Sequence, residues 1–358
     1  LGLRSGSAAT ATSGLIAHGQ VIYDTRSASL RVIAGAIDTG ELSQGLEIEL
    51  VHQLAHGLQH QHDLAGANSQ PQNRAQSSAV EGDARRVEQQ FRRSLDAETG
   101  QATEPVDDQY GRALAAAPAL LGEMWVLRLY ESGGYRLLNE EFDRSDEPSE
   151  GSVFYPFGAE SDSQARLSDA EAEGRHRASD QQVGPTSLYL MFAGAMPPHA
   201  ATTAAFGWSE DRLAVGATDG RVCIALRVQA QSRRDIDELE AAAAVWAAVG
   251  PPAAERTATR LASHIELRGC DPGPEVEIPV VVDGDAAIDY VASWTGYTVL
   301  LDQVSEVSTS QAKCMVPLIF ATISLDDLIT TRTTDRNVFG ERPIIRQIER
   351  ARRACDLI

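Results

Sequence analysis

Lysine is nearly absent from this chain. Of its 31 basic residues only Lys313 is lysine, and the others are arginine. With the abundance of alanine, that bias marks a GC-rich genome and carries no mechanism. Positive charge as a whole is scarce: 51 acidic against 31 basic residues leave a net charge of −20. A surface of that sign repels phosphate backbones and argues against nucleic acid as a partner. Long apolar runs are missing too. The best, Ala241–Val249, falls far short of the roughly 18 consecutive apolar residues that span a bilayer. No CxxC pair occurs, which excludes a zinc ribbon or a thioredoxin motif. No GxxxxGK[ST] loop and no GxSxG elbow occur, so neither a phosphate loop nor a serine hydrolase is indicated. There is no internal repeat.

What remains is an ordinary globular composition. The chain has 358 residues, 43% hydrophobic and 23% charged, enough for two domains or one large one. Collagen, a coiled-coil rod and a wholly disordered chain are excluded. The four cysteines are Cys223, Cys270, Cys314 and Cys355. An even number of widely spaced cysteines suggests two disulfides, expected as Cys223–Cys270 and Cys314–Cys355, each closing a loop of roughly 40 residues. Four buried thiols are the alternative. Disulfides would place the chain outside the cytoplasm, secreted, periplasmic or attached to the cell envelope. The chain opens on Leu1 rather than methionine, which leaves room for an upstream signal peptide or lipid anchor.

Along the chain, Val21–Asp24 and Leu30–Ala34 read as two short strands across a polar turn. A helix starts near Leu42 or Ser43 and runs through Leu46, Leu50, Leu54 and Leu58 at helical spacing. The stretch 65–78 reads as a loop and Ala79–Leu95 as a second helix. Ala113–Tyr130 reads as a long buried helix, interrupted at Pro118 and stopped by Gly133-Gly134. Leu137–Phe142 is a short helix, 145–158 is irregular, and 160–182 is acidic and exposed. Leu188–Ala195 is helical. Arg212–Ala217 and Arg221–Gln229 form a hairpin across Asp219-Gly220. Ile236–Val249 is an alanine-rich helix, Ile265–Arg268 a strand, Val276–Val282 a β-rich apolar run, and Ile344–Ala354 helical. Trp208, Trp246 and Trp294 read as core or turn residues. Asp283-Gly284-Asp285 reads as a turn, since further calcium ligands are lacking.

One segment carries chemistry. Glu47–Leu64 reads EIELVHQLAHGLQHQHDL. His52 and His56, four apart on a helix, share one face, so both imidazoles can meet one ion. The run Glu81-Gly82-Asp83-Ala84 opens the second helix, and Glu81 follows His56 by 25 residues. Two histidines on one helix and a carboxylate on a returning one form the two-His-one-Glu set of catalytic zinc sites. His62, ten residues after His52, is the rival third ligand. That spacing calls for a helix-breaking glycine where Gln59 stands, which counts against it. His60 reads as a surface residue.

These residues resemble the zincin metallopeptidases of the gluzincin type, in particular secreted or envelope zinc-peptidase-like proteins of actinobacteria. Leu50–Gln61 resembles that group's LVHELTHALQDQ helix, and Ala79–Ala84 its LVEGDA helix. Weaker likenesses lie in Val21–Asp24, in Leu121–Gly134 with Leu138, Asn139 and Phe142, in Pro148-Ser149-Glu150 with Tyr155-Pro156, and in Ala204–Trp208 with Asp211-Arg212. The likeness spans about residues 20 to 270. It implies an α+β zincin-like fold: an N-terminal lobe over 1–160, a second lobe over 161–274, and a C-terminal extension over 275–358. It also implies zinc held by His52, His56 and Glu81, with Asp83 or residues near Tyr155 supporting the ligands. One position departs. Where the family has the glutamate that takes a proton from zinc-bound water, this chain has Gln53. A primary amide cannot accept that proton. The resemblance therefore implies a catalytically impaired protein, acting as an extracytoplasmic binding or structural component with a protein or peptide partner in the cell envelope. Drift at Ser209-Glu210 and His60 favours natural degeneration. The alternative is an active zinc metallopeptidase in which Gln53 replaces a native glutamate.

Overall fold

The computed structural model describes residues 21–32, 42–62, 74–95, 109–142, 148–155, 177–178, 182–262, 264–305, 309–320 and 342–355. In chain order the elements are β1 (Val21–Asp24), β2 (Ser29–Val32), α1 (Gln44–Gln61), α2 (Arg74–Ser94), α3 (Gln109–Phe142), α4 (Glu150–Phe154), β3 (Arg177–Ala178), α5 (Gly184–Ala193), α6 (Pro198–Phe206), β4 (Trp208–Thr218), β5 (Arg221–Ala230), α7 (Arg233–Val249), β6 (Thr257–Arg260), β7 (His264–Cys270), α8 (Gly284–Ser305), α9 (Thr309–Phe320) and α10 (Arg342–Cys355). The described fold is mixed, α with two antiparallel sheets. The chain divides into two compact units interleaved along the sequence. One holds β1, β2, α1, α2, α3 from Ala116, α8 from Ala292, α9 and α10. The other holds the start of α3, α4 to α7, β3 to β7 and α8 up to Val291.

In the first unit, β1 and β2 form a two-stranded ribbon in the register Val21↔Val32 to Asp24↔Ser29. Helix α1 starts where Ser43 caps it, its hydroxyl accepting from the Leu46 N–H at 3.3 Å. Its leucines do keep helical spacing, but they do not form one buried stripe. Leu46 is buried, whereas Leu54 and Leu58 are 51% and 58% exposed. The face of α1 turned toward α2 is polar instead, carrying His52, His56 and the buried Gln59. Helix α2 begins earlier than its composition suggests. Ala75, Gln76 and Ser78 belong to it and are buried, and the Ser78 carbonyl lies against Gly122 of α3. A β-carbon on Gly82 would fall 2.0 Å from the Gly122 carbonyl carbon, and one on Gly122 would fall 1.8 Å from the Ser78 oxygen. Only glycines permit that approach of backbones.

Helix α3 runs through Pro118 without interruption. Its break comes at Gly134, with φ 63° and ψ −158°, a conformation that glycine alone adopts readily. A window within Tyr110–Phe142 is apolar and long enough to cross a membrane, and half of it is buried inside the fold. In the same unit a disulfide joins Cys314 of α9 to Cys355 of α10.

The second unit is built on a five-stranded sheet of order β3-β4-β5-β7-β6. The β4–β5 hairpin turns at Asp219 and Gly220, both left-handed at φ 51° and 79°, as a tight hairpin demands. Cys223 and Cys270 are direct partners across β5 and β7 and are disulfide-bonded. Helix α7 packs Leu239, Ala243 and Trp246 inward. Trp208 is buried as well, as is Trp294 in the first unit. Asp211 organises the region beside the sheet: its buried carboxylate accepts from Val183 N–H (2.7 Å), Gly184 N–H (2.8 Å) and Trp208 Nε1–H (2.9 Å). It thereby supplies an acceptor to the first turn of α5, where Val183 makes no side-chain cap.

Some expectations are corrected here. Val276–Val282 forms no strand. Pro279 removes a ladder donor, Val280 and Val281 are exposed, and the Val281 N–H bonds the Gly194 carbonyl at 2.9 Å. Asp283 is a helix cap rather than a free turn, accepting from the Ala286 N–H at 2.8 Å. Within 145–158, Glu150–Phe154 is a short helix. The acidic stretch 160–182 lies outside the described residues except for Arg177, Ala178 and Gln182.

Candidate metal centre

The donor atoms come from two adjacent helices. On α1, the 100° step per residue puts His52 and His56 side by side. Their Nε2 atoms lie 3.1 Å apart. From α2, the Glu81 Oε2 lies 3.6 Å from each. His52, His56 and Glu81 are the group of metal-capable side chains among the described residues, all donor atoms falling within 4.8 Å of one another. A triangle of sides 3.1, 3.6 and 3.6 Å has a centre about 2.0 Å from each corner, the length of a bond from zinc to imidazole nitrogen or carboxylate oxygen. The histidine side chains are largely covered, at 18% and 17% exposure, whereas Glu81 is 40% exposed. With Glu81 partly exposed, an ion held by these three donors would keep room for a further ligand from solvent.

The other atoms of the two imidazoles are also committed. His52 Nδ1 donates to Glu88 Oε2 at 3.0 Å, and Glu88 Oε1 accepts from Arg92 Nε at 2.8 Å. His56 Nδ1 faces the Gln59 Oε1 at 2.9 Å. The Gln59 amide cannot be reversed without loss, because its Nε2 donates to the Val80 carbonyl (3.0 Å) and to Asp83 Oδ2 (3.1 Å). Asp83 thus stands behind the site through Gln59, and Tyr155 belongs to the other compact unit.

The electrostatics agree with the geometry. Burial disfavours a charged His52, yet hydrogen bonds and charge from Glu81 and Glu88 overcome this and lift it to about 9. Burial pushes the Glu81 carboxyl up, but hydrogen bonds from both histidines prevail and hold it well below the usual carboxylate range. Glu88 is held below its ordinary value in the same way, against burial, by His52 and Arg92. Without a metal the centre keeps a proton on His52 between two carboxylates, as a cation-seeking cluster does.

Gln53 sits on a different face. Its Oε1 accepts from the Tyr23 N–H at 2.8 Å, and one turn earlier Glu49 Oε1 accepts from the Val21 N–H at 3.1 Å. Together they fasten α1 to alternate residues of β1. The ring of Tyr23 lies over Gly57, where a β-carbon would meet it at 3.2 Å, and its hydroxyl bonds His60 Nδ1 at 3.0 Å. His60 is therefore half-buried and engaged, not a free surface residue. His62 ends the helix as an exposed capping residue and is not among the converging donors. Sequence reasoning singled out the three donors and missed Glu88 and Gln59. The signal for Glu88 was its spacing, seven residues or about two turns beyond Glu81 on one face. Comparison with protein-family models, with curated proteins and with solved structures returns no match.

Proposed function

We propose that this chain is a zincin-like, zinc-binding protein that lacks peptidase activity and serves as an extracytoplasmic binding or structural component. The observation that carries the inactive reading is the engagement of Gln53. Its amide oxygen is spent on the Tyr23 N–H of β1, and an amide has no basicity with which to take a proton from water. The donor set favours zinc over calcium or magnesium, since two of its three atoms are imidazole nitrogens. His52, His56 and Glu81 would hold the ion, which would supply Lewis acidity at its remaining position. Gln53 would at most orient a water there.

The setting is consistent with that role. Two disulfides suit an oxidising compartment. The charge of −20 argues against nucleic acid as a partner, and a protein or peptide of the cell envelope is the partner this reading proposes. Restoring the glutamate tests the proposal. The Gln53→Glu variant, loaded with zinc, is expected to leave a casein substrate intact, because the new carboxylate meets the same Tyr23 N–H. Turnover by the zinc-loaded wild-type chain would overturn the inactive reading, and turnover by the variant alone would favour a peptidase silenced by one residue over a binding or structural component.

A further inference from the structure

The donor triangle explains which atoms meet an ion but not why both imidazoles present the right one. A neutral imidazole carries its lone pair on one nitrogen only, and that nitrogen is selected by what the other one bonds. Ionised, the Glu88 carboxylate can only accept, so the proton on His52 sits at Nδ1. At His56 the same constraint is imposed by an amide. Gln59 uses its N–H₂ group on the Val80 carbonyl and Asp83, so the oxygen is left for His56 Nδ1, which must be the donor. Both Nε2 lone pairs then point at one place, 3.1 Å apart. At that separation a single proton bridges the two nitrogens in the metal-free centre, and an ion that replaced it would take both lone pairs.

From this convergence we infer that Glu88 and Gln59 are the positioning residues of the metal centre, fixing both histidines as Nδ1–H tautomers with Nε2 directed at the ion. The inference rests on the metal reading above and adds the residues that make it work. Neither touches the ion. Glu88 is in turn oriented by Arg92, and Gln59 by the α2 backbone, so the tautomers are set by the packing of α1 on α2. The two devices differ in one testable respect. At Glu88 an amide retains an acceptor, so Glu88→Gln should be tolerated while Glu88→Ala is not. At Gln59 the side chain must both accept and donate, so Gln59→Glu keeps the acceptor for His56 but sets a carboxylate against Asp83.

The test is zinc affinity by chelator competition on the full chain, with histidine ¹⁵N spectra reporting which ring nitrogen carries the proton. Glu88→Ala and Gln59→Met should each weaken zinc binding about 10–100-fold, with Glu88→Gln within a few-fold of wild type. The zinc-loaded wild type should show protonated Nδ1 on both His52 and His56. Thermal unfolding of the metal-free variants separates this from misfolding. If the wild type binds zinc and both truncating variants bind as tightly, or if either histidine is protonated at Nε2, this inference alone is overturned. A wild type that takes up no zinc overturns the metal reading and this inference with it.

Discussion

Placing a methyl group at Gly82 probes a close backbone contact beside the candidate centre. Gly82 follows the donor Glu81 directly, and its added β-carbon would lie 2.0 Å from the Gly122 carbonyl carbon, 2.4 Å from its oxygen and 2.5 Å from the Glu123 nitrogen. These are backbone atoms that cannot swing aside. Ordinary contact begins near 3.4 Å, so α2 and α3 would have to part by about 1.4 Å. Overpacking of a filled interior costs about 1–3 kcal/mol, and a rigid backbone neighbour puts this case at the upper end. The better helix propensity of alanine returns about 1 kcal/mol. The net expectation for Gly82→Ala is a loss of about 2 kcal/mol, or roughly 4–8 °C in melting temperature on the scale of a 150–250-residue domain. Because Glu81 rides on the displaced turn, zinc affinity should fall as well. Gly45→Ala is the matched control: nothing lies within 4 Å of its added carbon, and it should be neutral or slightly stabilising. Thermal unfolding and zinc titration of both variants decide the matter. A Gly82→Ala protein as stable as wild type would refute the close α2–α3 crossing.

Other predictions follow from the same geometry. Asp211→Ala strands three buried N–H donors and should destabilise the protein by about 3 kcal/mol or more in chemical denaturation. Glu266 is held below its ordinary value of 4.5, against burial, by Arg227 at 2.8 Å and Arg268 at 2.7 Å. Its stabilising contribution is therefore complete above pH 4.5 and lost as pH falls through the lower folded value. Glu266→Gln should narrow the stability difference between pH 6 and pH 3, and an unchanged difference would count against the pairing. Reducing the Cys223–Cys270 bridge, which spans 47 residues, should cost about 4 kcal/mol by the loop-entropy relation. Chelation should lower the melting temperature of zinc-loaded protein, by about 4 kcal/mol of lost stabilisation at a thousandfold excess of zinc over its Kd.

Much of the local structure is legible in the sequence, and the reasons are physical. The Asp219-Gly220 turn announces its hairpin because few residue pairs accept two left-handed conformations. His52 and His56 announce a shared helical face because the α-helix period leaves no other arrangement. The cysteines pair as expected, Cys223 with Cys270 and Cys314 with Cys355, although loop length alone also permits Cys270 with Cys314. Burial was harder to read. Leu54 and Leu58 have the spacing of a core stripe, yet the buried apolar positions of α1 are Leu46, Ile48 and Ala55, and the side that meets α2 carries two histidines and Gln59, stabilised by partners there. The start of α2 was hidden because Ala75 to Ser78 look like loop composition, while their burial is tertiary and does not show in composition. The strand β6, Thr-Ala-Thr-Arg, has no apolar alternation and exists through its ladder with β7. Gln53 was read as a lost general base. Its bond to Tyr23 joins residues 30 apart and belongs to tertiary structure, which spacing alone does not reveal.

The central claim is that His52, His56 and Glu81 hold a metal ion. Elemental analysis of protein purified without added metal tests it most directly, with the His52→Ala/His56→Ala double variant measured alongside. The account predicts close to one zinc per chain in the wild type and none in the variant. No zinc in the wild type, even after incubation with the metal, would contradict it.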